Sequence, residues 1–256
     1  MKVVILAGGL GTRLSEETSS IPKPMVKIGE LPILLHIMRH YYFYGYKEFI
    51  ILLGYKGDVI KEYFLNYPFN SCDFSLQQKT NKKFLNDFTP EDWTISFVDT
   101  GQNTMTGGRI KRAEKIIGDD DFMLTYGDGV SDIDLKKLED FHKAHNKIAT
   151  MTSIQPEEKR FGVIQSSEDF VTSFQEKPSE IDTWINGGFF IFKKELFSLL
   201  KDDDTFLERE PLQTLVSESQ LMTYKHNGFW KCMDTLRDKL ELQSYWDSGN
   251  AAWKKW

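Results

Sequence analysis

Residues 3–11, directly after Met1 and Lys2, read Val-Val-Ile-Leu-Ala-Gly-Gly-Leu-Gly. A continuous, β-branched run of this length has no polar face, so it suits a strand covered on both sides, as in parallel sheets flanked by helices. Glycines directly after such a strand let the backbone come close to a ligand with its amides aimed outward. In open α/β sheets, ligands gather beyond the carboxyl ends of the strands, which is where these glycines fall. The run therefore predicts both an α/β fold and the place of its site.

The rest of the chain supports that reading. A loop rich in Gly, Ser, Thr and Pro follows from Gly8 to Lys23. Residues 33–44 repeat apolar side chains at helical spacing, with Gly45 as a stop. A second buried strand is expected at 49–53 and a second helix at 58–67, completing a strand–helix–strand–helix order that calls for right-handed parallel connections. Residues 70–92 are polar and irregular and read as an insertion over the sheet. Further strands are expected at 94–98, 122–125, 149–154, 162–165, 171–175 and 188–192, the later ones antiparallel. Helices are expected at 107–117, 134–145 and 236–246. Together these predict a mixed, mostly parallel, Rossmann-like α/β sheet flanked by helices, with a smaller antiparallel part. No repeat or Pro/Ser-rich linker divides the sequence, so residues 1–256 are expected to form one domain. Its parts would be about 1–130, about 131–235 and a helical tail.

Charge and cysteine content exclude several functions. With 256 residues the chain can bury a full core. A formal charge of −6 disfavours broad nucleic-acid binding, which needs a basic face. Local Lys and Arg can still hold a small anion. Cys72 and Cys232 belong to no CxxC or Cys/His cluster, so neither a disulfide framework nor a zinc site is expected, as suits a reducing cytoplasm. The apolar run Val3–Ala7 is too short for a signal-peptide core, and no stretch has the length of a membrane span.

The glycine loop has particular chemistry. Arg13 offers a forked donor suited to phosphate oxygens, and Lys23 sits between Pro22 and Pro24 on a stiff backbone. A Walker loop is excluded, because no GxxxxGK[ST] spacing occurs. The dinucleotide fingerprint would begin at Gly9 and Gly11, but Leu14 stands at its third glycine. A plain flexible turn is the competing reading for Gly8–Gly11, and Arg13 with the Pro-Lys-Pro clamp weighs against it.

The run GGxGTRL with its downstream PKP resembles the nucleotide-sugar pyrophosphorylases, or sugar-1-phosphate nucleotidyltransferases. Tyr126-Gly127-Asp128, Glu176-Lys177-Pro178, Asn186-Gly187-Gly188 and Met233-Asp234-Thr235 are similar to that family's further motifs, in family order across nearly the whole chain. Within the family, the runs 98–101, 103–109 and 226–230 and the tail 246–256 are similar to the branch that uses CTP and glucose 1-phosphate. Gly29-Glu30-Leu31-Pro32 departs from the family pattern, at a distance from the phosphate ligands.

The resemblance implies transfer of a nucleotidyl group to a sugar 1-phosphate with release of pyrophosphate, here giving CDP-glucose. It implies nucleotide contacts from Leu6, Ala7, Gly8, Gly9, Leu10, Gly11, Thr12, Arg13, Lys23, Thr104, Arg109 and Asp128. Sugar-phosphate contacts would come from Glu176, Lys177, Asn186 and Gly187, in the smaller antiparallel part. Mg²⁺ would be held by Asp128 and Asp234, and Arg13, Lys23, Asp128 and Asp234 would form the catalytic group. Small-molecule substrates are the expected partners, with no nucleic acid and no membrane. A homo-oligomer is expected from the aromatic stretch 41–44 and the Trp-rich tail.

Each residue also has a plainer reading. Asp128 between glycines could be a turn residue, Asp234 a helix N-cap beside Thr235, Lys177 a solvated lysine and Arg109 part of a charged helix face. His36 and His40 have the spacing of a zinc helix without the Glu of HExxH, so a metal role is disfavoured. His142 and His145 are expected on or beside a solvated helix face, and the runs 119–121 and 202–204 as exposed acidic turns. Two other classes stay open: a dinucleotide-dependent oxidoreductase or epimerase, and a non-catalytic binding subunit on the same fold. Tightly bound NAD would mark the first, and tolerance of losing Lys23 or Asp128 the second.

Overall fold

Val3, Ile5 and Ala7 pack on one face of the first strand and Val4 and Leu6 on the other, each into its own hydrophobic cluster. The computed structural model describes residues 1–80, 82–85, 89, 91–155, 162–167, 170–176 and 184–256. Strand β1 (Lys2–Ala7) is followed by helix α1 (Ile33–Phe43), β2 (Glu48–Leu53), α2 (Gly57–Asn70), β3 (Thr94–Asp99), α3 (Thr106–Arg112) and β4 (Phe122–Tyr126). Next come β5 (Gly129–Ser131), α4 (Leu135–His145), β6 (Ala149–Ile154), β7 (Gly162–Ser167), β8 (Phe170–Glu176) and β9 (Ile185–Phe192). The chain ends with α5 (Glu210–Ser217), β10 (Leu221–His226), β11 (Trp230–Cys232) and α6 (Leu236–Asp247).

The main sheet has the order β7-β8-β10-β6-β9-β4-β1-β2-β3. β1 is parallel to β2 and β4, and β2 to β3. β9 runs antiparallel to both β4 and β6, whereas β6 and β10 are parallel. The sheet is thus mixed and mostly parallel around β1, as expected. α1 covers one face through Ile33, Leu34, Ile37, Met38 and Tyr41, all buried. Each such side chain contributes about 1.5–3 kcal/mol of burial. Ile110 of α3 packs with Val4, Leu6 and Leu124 on the opposite face.

Some expected elements differ. The helix expected at 107–117 is α3 and a separate short turn, Glu114–Ile117, with the break at Ala113. Within 70–92, Phe74–Gln77 and Lys82–Leu85 pair as a hairpin. Tyr41 and Trp253 are buried in the core, and of the 41–44 stretch Phe43 is the side chain left exposed. His142 is also buried, contrary to the solvated position expected for it: Nδ1 lies 2.7 Å from the Thr150 hydroxyl of β6. α4 turns this edge toward the sheet because Leu135, Leu138 and His142 follow one another at helical spacing. His36 and His40 are likewise core residues, their Nε2 atoms 2.9 Å from the carbonyls of Ile28 and Ile133. Among the described residues no helix is long and apolar enough to cross a membrane.

Candidate active site

A cavity of about 390 Å³ opens beyond the carboxyl ends of β1 and β4. Its wall includes Leu6, Ala7, Gly8, Gly9, Gly11, Thr12, Arg13, Lys23, Thr104, Arg109 and Asp128. Leu10, also expected at the nucleotide, is half exposed and does not line it. Gly11 has φ +65°, a left-handed conformation that favours glycine, and Thr18 Oγ1 donates 3.0 Å to its carbonyl. A Cβ on Gly9 would meet nothing within 4 Å, whereas one on Gly8 would lie 2.3 Å from Arg109 Nη1.

Arg109 is not part of a solvated face. It is 5% exposed, and its guanidinium donates to the carbonyls of Gly8, Leu53, Gly101 and Gln102 and to Thr100 Oγ1 at 2.7–3.2 Å. It thereby ties the glycine loop to the ends of β2 and β3. Burial, with Arg112 nearby, holds its pKa below the usual arginine value. Sequence shows a basic cluster here, and only the fold shows which cation is inside.

Two carboxylates meet at the cavity edge. β5 and β11 form an antiparallel ribbon with Gly129 opposite Cys232, and Met233 N donates 2.8 Å to the Asp128 carbonyl. That register sets Asp128 and Asp234 on neighbouring strand ends. Lys23 Nζ lies between them, 2.7 Å from Asp128 Oδ2 and 2.6 Å from Asp234 Oδ1. Arg13 Nη1 is 2.9 Å from the other Asp234 oxygen. Lys23 is 11% exposed and Arg13 75%. Burial alone would pull the Lys23 ammonium down, but Asp128 and Asp234 outweigh it and hold its pKa above the usual value. Asp234 does not cap α6. Thr235 does, in a reciprocal capping box with Asp238, which leaves the Asp234 carboxylate for Lys23 and Arg13.

The sugar-side candidates are placed only in part. Asn186 Oδ1 accepts from Gly188 N at 2.8 Å, and Asn186 Nδ2 lies 3.4 Å from Tyr126 Oη at the cavity wall. The Gly187 carbonyl accepts from Trp230 Nε1 at 2.6 Å. The β6–β9 register shifts between Met151, opposite Phe190, and Ser153, opposite Asn186, so a bulge falls at this stretch of β9. Glu176 ends β8, its backbone opposite Gly162. Lys177 lies outside the described residues. The cavity wall also contains Met105, Thr106, Tyr126 and Phe206. Phe206 follows the exposed acidic turn 202–204, and nothing in its sequence context marks it.

Residues 2–250 match the family model described as nucleotidyl transferase. The chain is 51% identical over 257 residues to the glucose-1-phosphate cytidylyltransferase of Salmonella typhi, covering 100% of both chains. It is 30% identical to the mannose-1-phosphate guanyltransferase of Saccharomyces cerevisiae, over 94% of this chain and 63% of that one. Among solved structures, HddC from Yersinia pseudotuberculosis complexed with GMP-PN has TM-score 0.75 at 24% identity, covering 96% of this chain and 99% of that one. UTP-bound UGPase from Acinetobacter baumannii has TM-score 0.77 at 19% identity, covering 96% and 92%. At these identities the two structures share the fold. The family model spans nearly the whole sequence and the full-length relative is more than half identical, so the chain belongs to the nucleotidyl transferase family.

Proposed function

We propose that this chain joins CTP to α-D-glucose 1-phosphate, giving CDP-glucose and pyrophosphate. The observation that carries the reading is the convergence of Lys23, Asp128 and Asp234 beside the glycine loop. Full-length similarity to a glucose-1-phosphate cytidylyltransferase supports the choice of substrates. A phosphate oxygen of the sugar attacks the α-phosphorus of CTP. A new P–O bond forms, the bond to the bridging oxygen breaks, and that oxygen leaves with pyrophosphate. Both reactants are anions, so the protein must supply positive charge and alignment more than a nucleophile.

The amides of Gly8, Gly9 and Gly11, with Thr12 and Arg13, hold the triphosphate, and Thr104 and Arg109 shape the nucleotide side. Lys23 stabilises charge developing at the reacting phosphoryl group. Glu176, Lys177, Asn186 and Gly187 hold the incoming sugar phosphate. Asp128 and Asp234 already converge on one cation, the Lys23 ammonium, so the pair fits a Mg²⁺ ion. Bound there, Mg²⁺ would neutralise phosphate charge. Among the described residues no group of three or more His, Cys, Asp or Glu could hold a metal, so phosphate and water oxygens would complete its shell. The free thiols of Cys72 and Cys232 fit a cytoplasmic enzyme, and a homo-oligomer is proposed with it, to be checked by light scattering. Assaying four nucleoside triphosphates against several sugar 1-phosphates, with pyrophosphate detection, tests the substrates. CTP with glucose 1-phosphate should give the highest kcat/KM, and a clear preference for UTP or dTTP would overturn that choice.

A further inference from the structure

Glu208 belongs to none of the motifs above, yet its carboxylate joins both sides of the cavity. Oε2 accepts from Thr106 Oγ1 at 2.6 Å, and Oε1 accepts from Tyr126 Oη at 2.6 Å. Both hydroxyls belong to cavity-lining residues. Thr106 opens α3, after Thr104 and before Arg109, and Tyr126 ends β4 two residues before Asp128. Glu208 itself is half-buried and set back from the cavity wall.

The segment carrying Glu208 is well anchored. Leu207 is fully buried, and its amide donates 2.9 Å to Thr106 Oγ1. Met105 N and Gly108 N donate to the carbonyls of Asp203 and Thr205. A Cβ on Gly108 would come within 2.7 Å of the Asp203 backbone, so α3 and residues 203–208 pack as one unit. Glu208 is therefore held by the nucleotide side and reaches toward the sugar side.

There it acts on Tyr126. The phenol spends its proton on Glu208, so its oxygen is left as an acceptor for Asn186 Nδ2, a long contact at 3.4 Å. This orients the Asn186 amide, whose oxygen accepts from Gly188 N. The Tyr126 ring also lies under Gly188, whose φ is +77° and whose Cβ would stand 2.7 Å from Tyr126 Cδ2.

The geometry points to Glu208 as a positioning residue for the sugar phosphate: through Tyr126 it sets the irregular Asn186–Gly188 stretch of β9 and the orientation of the Asn186 amide. This rests on the sugar-side reading of Asn186 given above. Glu208 touches no reacting atom, so its loss weakens ground-state binding of one substrate.

Steady-state kinetics on the full chain test it. Glu208→Ala should raise the KM for glucose 1-phosphate about tenfold, the scale of one lost hydrogen-bond contribution, with the KM for CTP within about twofold. Tyr126→Phe should shift the same KM, and the double variant should be no worse than the larger single effect, because both act on one path. Glu208→Gln should recover most of the loss, since its amide oxygen can still accept from Tyr126 while its NH₂ donates to Thr106 Oγ1. Equal rises in both KM values, additive single effects, or a Gln variant as impaired as the Ala variant would each overturn the proposal. If the wild type prefers another nucleotide or sugar 1-phosphate, the same KM ratio is read with that pair, so the substrate reading can fail separately.

Discussion

At the scale of single residues, the cation between the two carboxylates is the centre of the chemistry. Lys23→Ala should lower kcat about a hundredfold or more, on the scale of a lost transition-state donor. Lys177→Ala should mainly raise the KM for the sugar phosphate, as when ground-state binding is removed. A kcat for Lys23→Ala within about twofold of wild type would contradict the first assignment. Asp128→Asn and Asp234→Asn keep shape but lose charge, so each should fold normally and bind Mn²⁺ more weakly by water-proton relaxation, as well as losing activity. Unchanged Mn²⁺ affinity in both would remove them from the metal site. A different argument applies to Gly8. Its Cβ would stand 2.3 Å from a buried guanidinium that holds the loop, so Gly8→Ala should cost about 1–3 kcal/mol by overpacking. Gly9→Ala, with open space around it, should melt like the wild type. Equal melting temperatures for both variants would show that Arg109 yields freely.

At the scale of elements, the start of α6 links stability to the site. Thr235 Oγ1 accepts from Asp238 N, and Asp238 Oδ2 accepts from the amides of Asp234 and Thr235. Asp238 is fully buried. The cap therefore fixes the backbone of Asp234, one residue before it. Thr235→Ala should cost about 1 kcal/mol, lowering Tm by about 2–4 °C in a chain of this size. Thr235→Ser keeps the hydroxyl and should recover most of that loss, and a Ser variant as unstable as the Ala variant would mean that the methyl group matters more than the cap.

Over the whole molecule, buried histidines set the response to acid. Burial lowers the pKa values of His36, His40 and His142 to about 4, well below the usual histidine value of about 6.5. The unfolded chain therefore binds more protons between those limits. Stability is full above about pH 6.5 and declines as pH falls toward 4, by up to about 1.4 kcal/mol per pH unit for each histidine. Glu139 adds to this lower down. Burial opposes its charge, but Lys143, Tyr46 and Lys136 outweigh burial and hold its pKa at about 2. Its contribution is lost as pH drops below about 4.5. The urea midpoint should fall clearly from pH 7.5 to pH 5, and an unchanged midpoint would mean that the histidines titrate normally.

The fold around β1 was legible because parallel strands and amphipathic helices write their burial into local periodicity. Val3–Ala7, the glycines after it and α1 were read within a few residues of their observed limits. The candidate site was legible as an ordered set of motifs, and the cavity brings together most of the nucleotide-side residues named from them. Local pattern could not show that Lys23 stands between carboxylates 105 and 211 residues away, because that depends on the register of β5 with β11. Nor could it separate Arg109, buried under Gly8, from Arg112, which pairs with Asp203 at the surface. Glu208 has no motif at all. The sequence alone determined which chemical groups are present and which strands carry them. Tertiary structure alone decided which of them meet, because contacts between distant segments follow from sheet order and packing rather than from any local spacing.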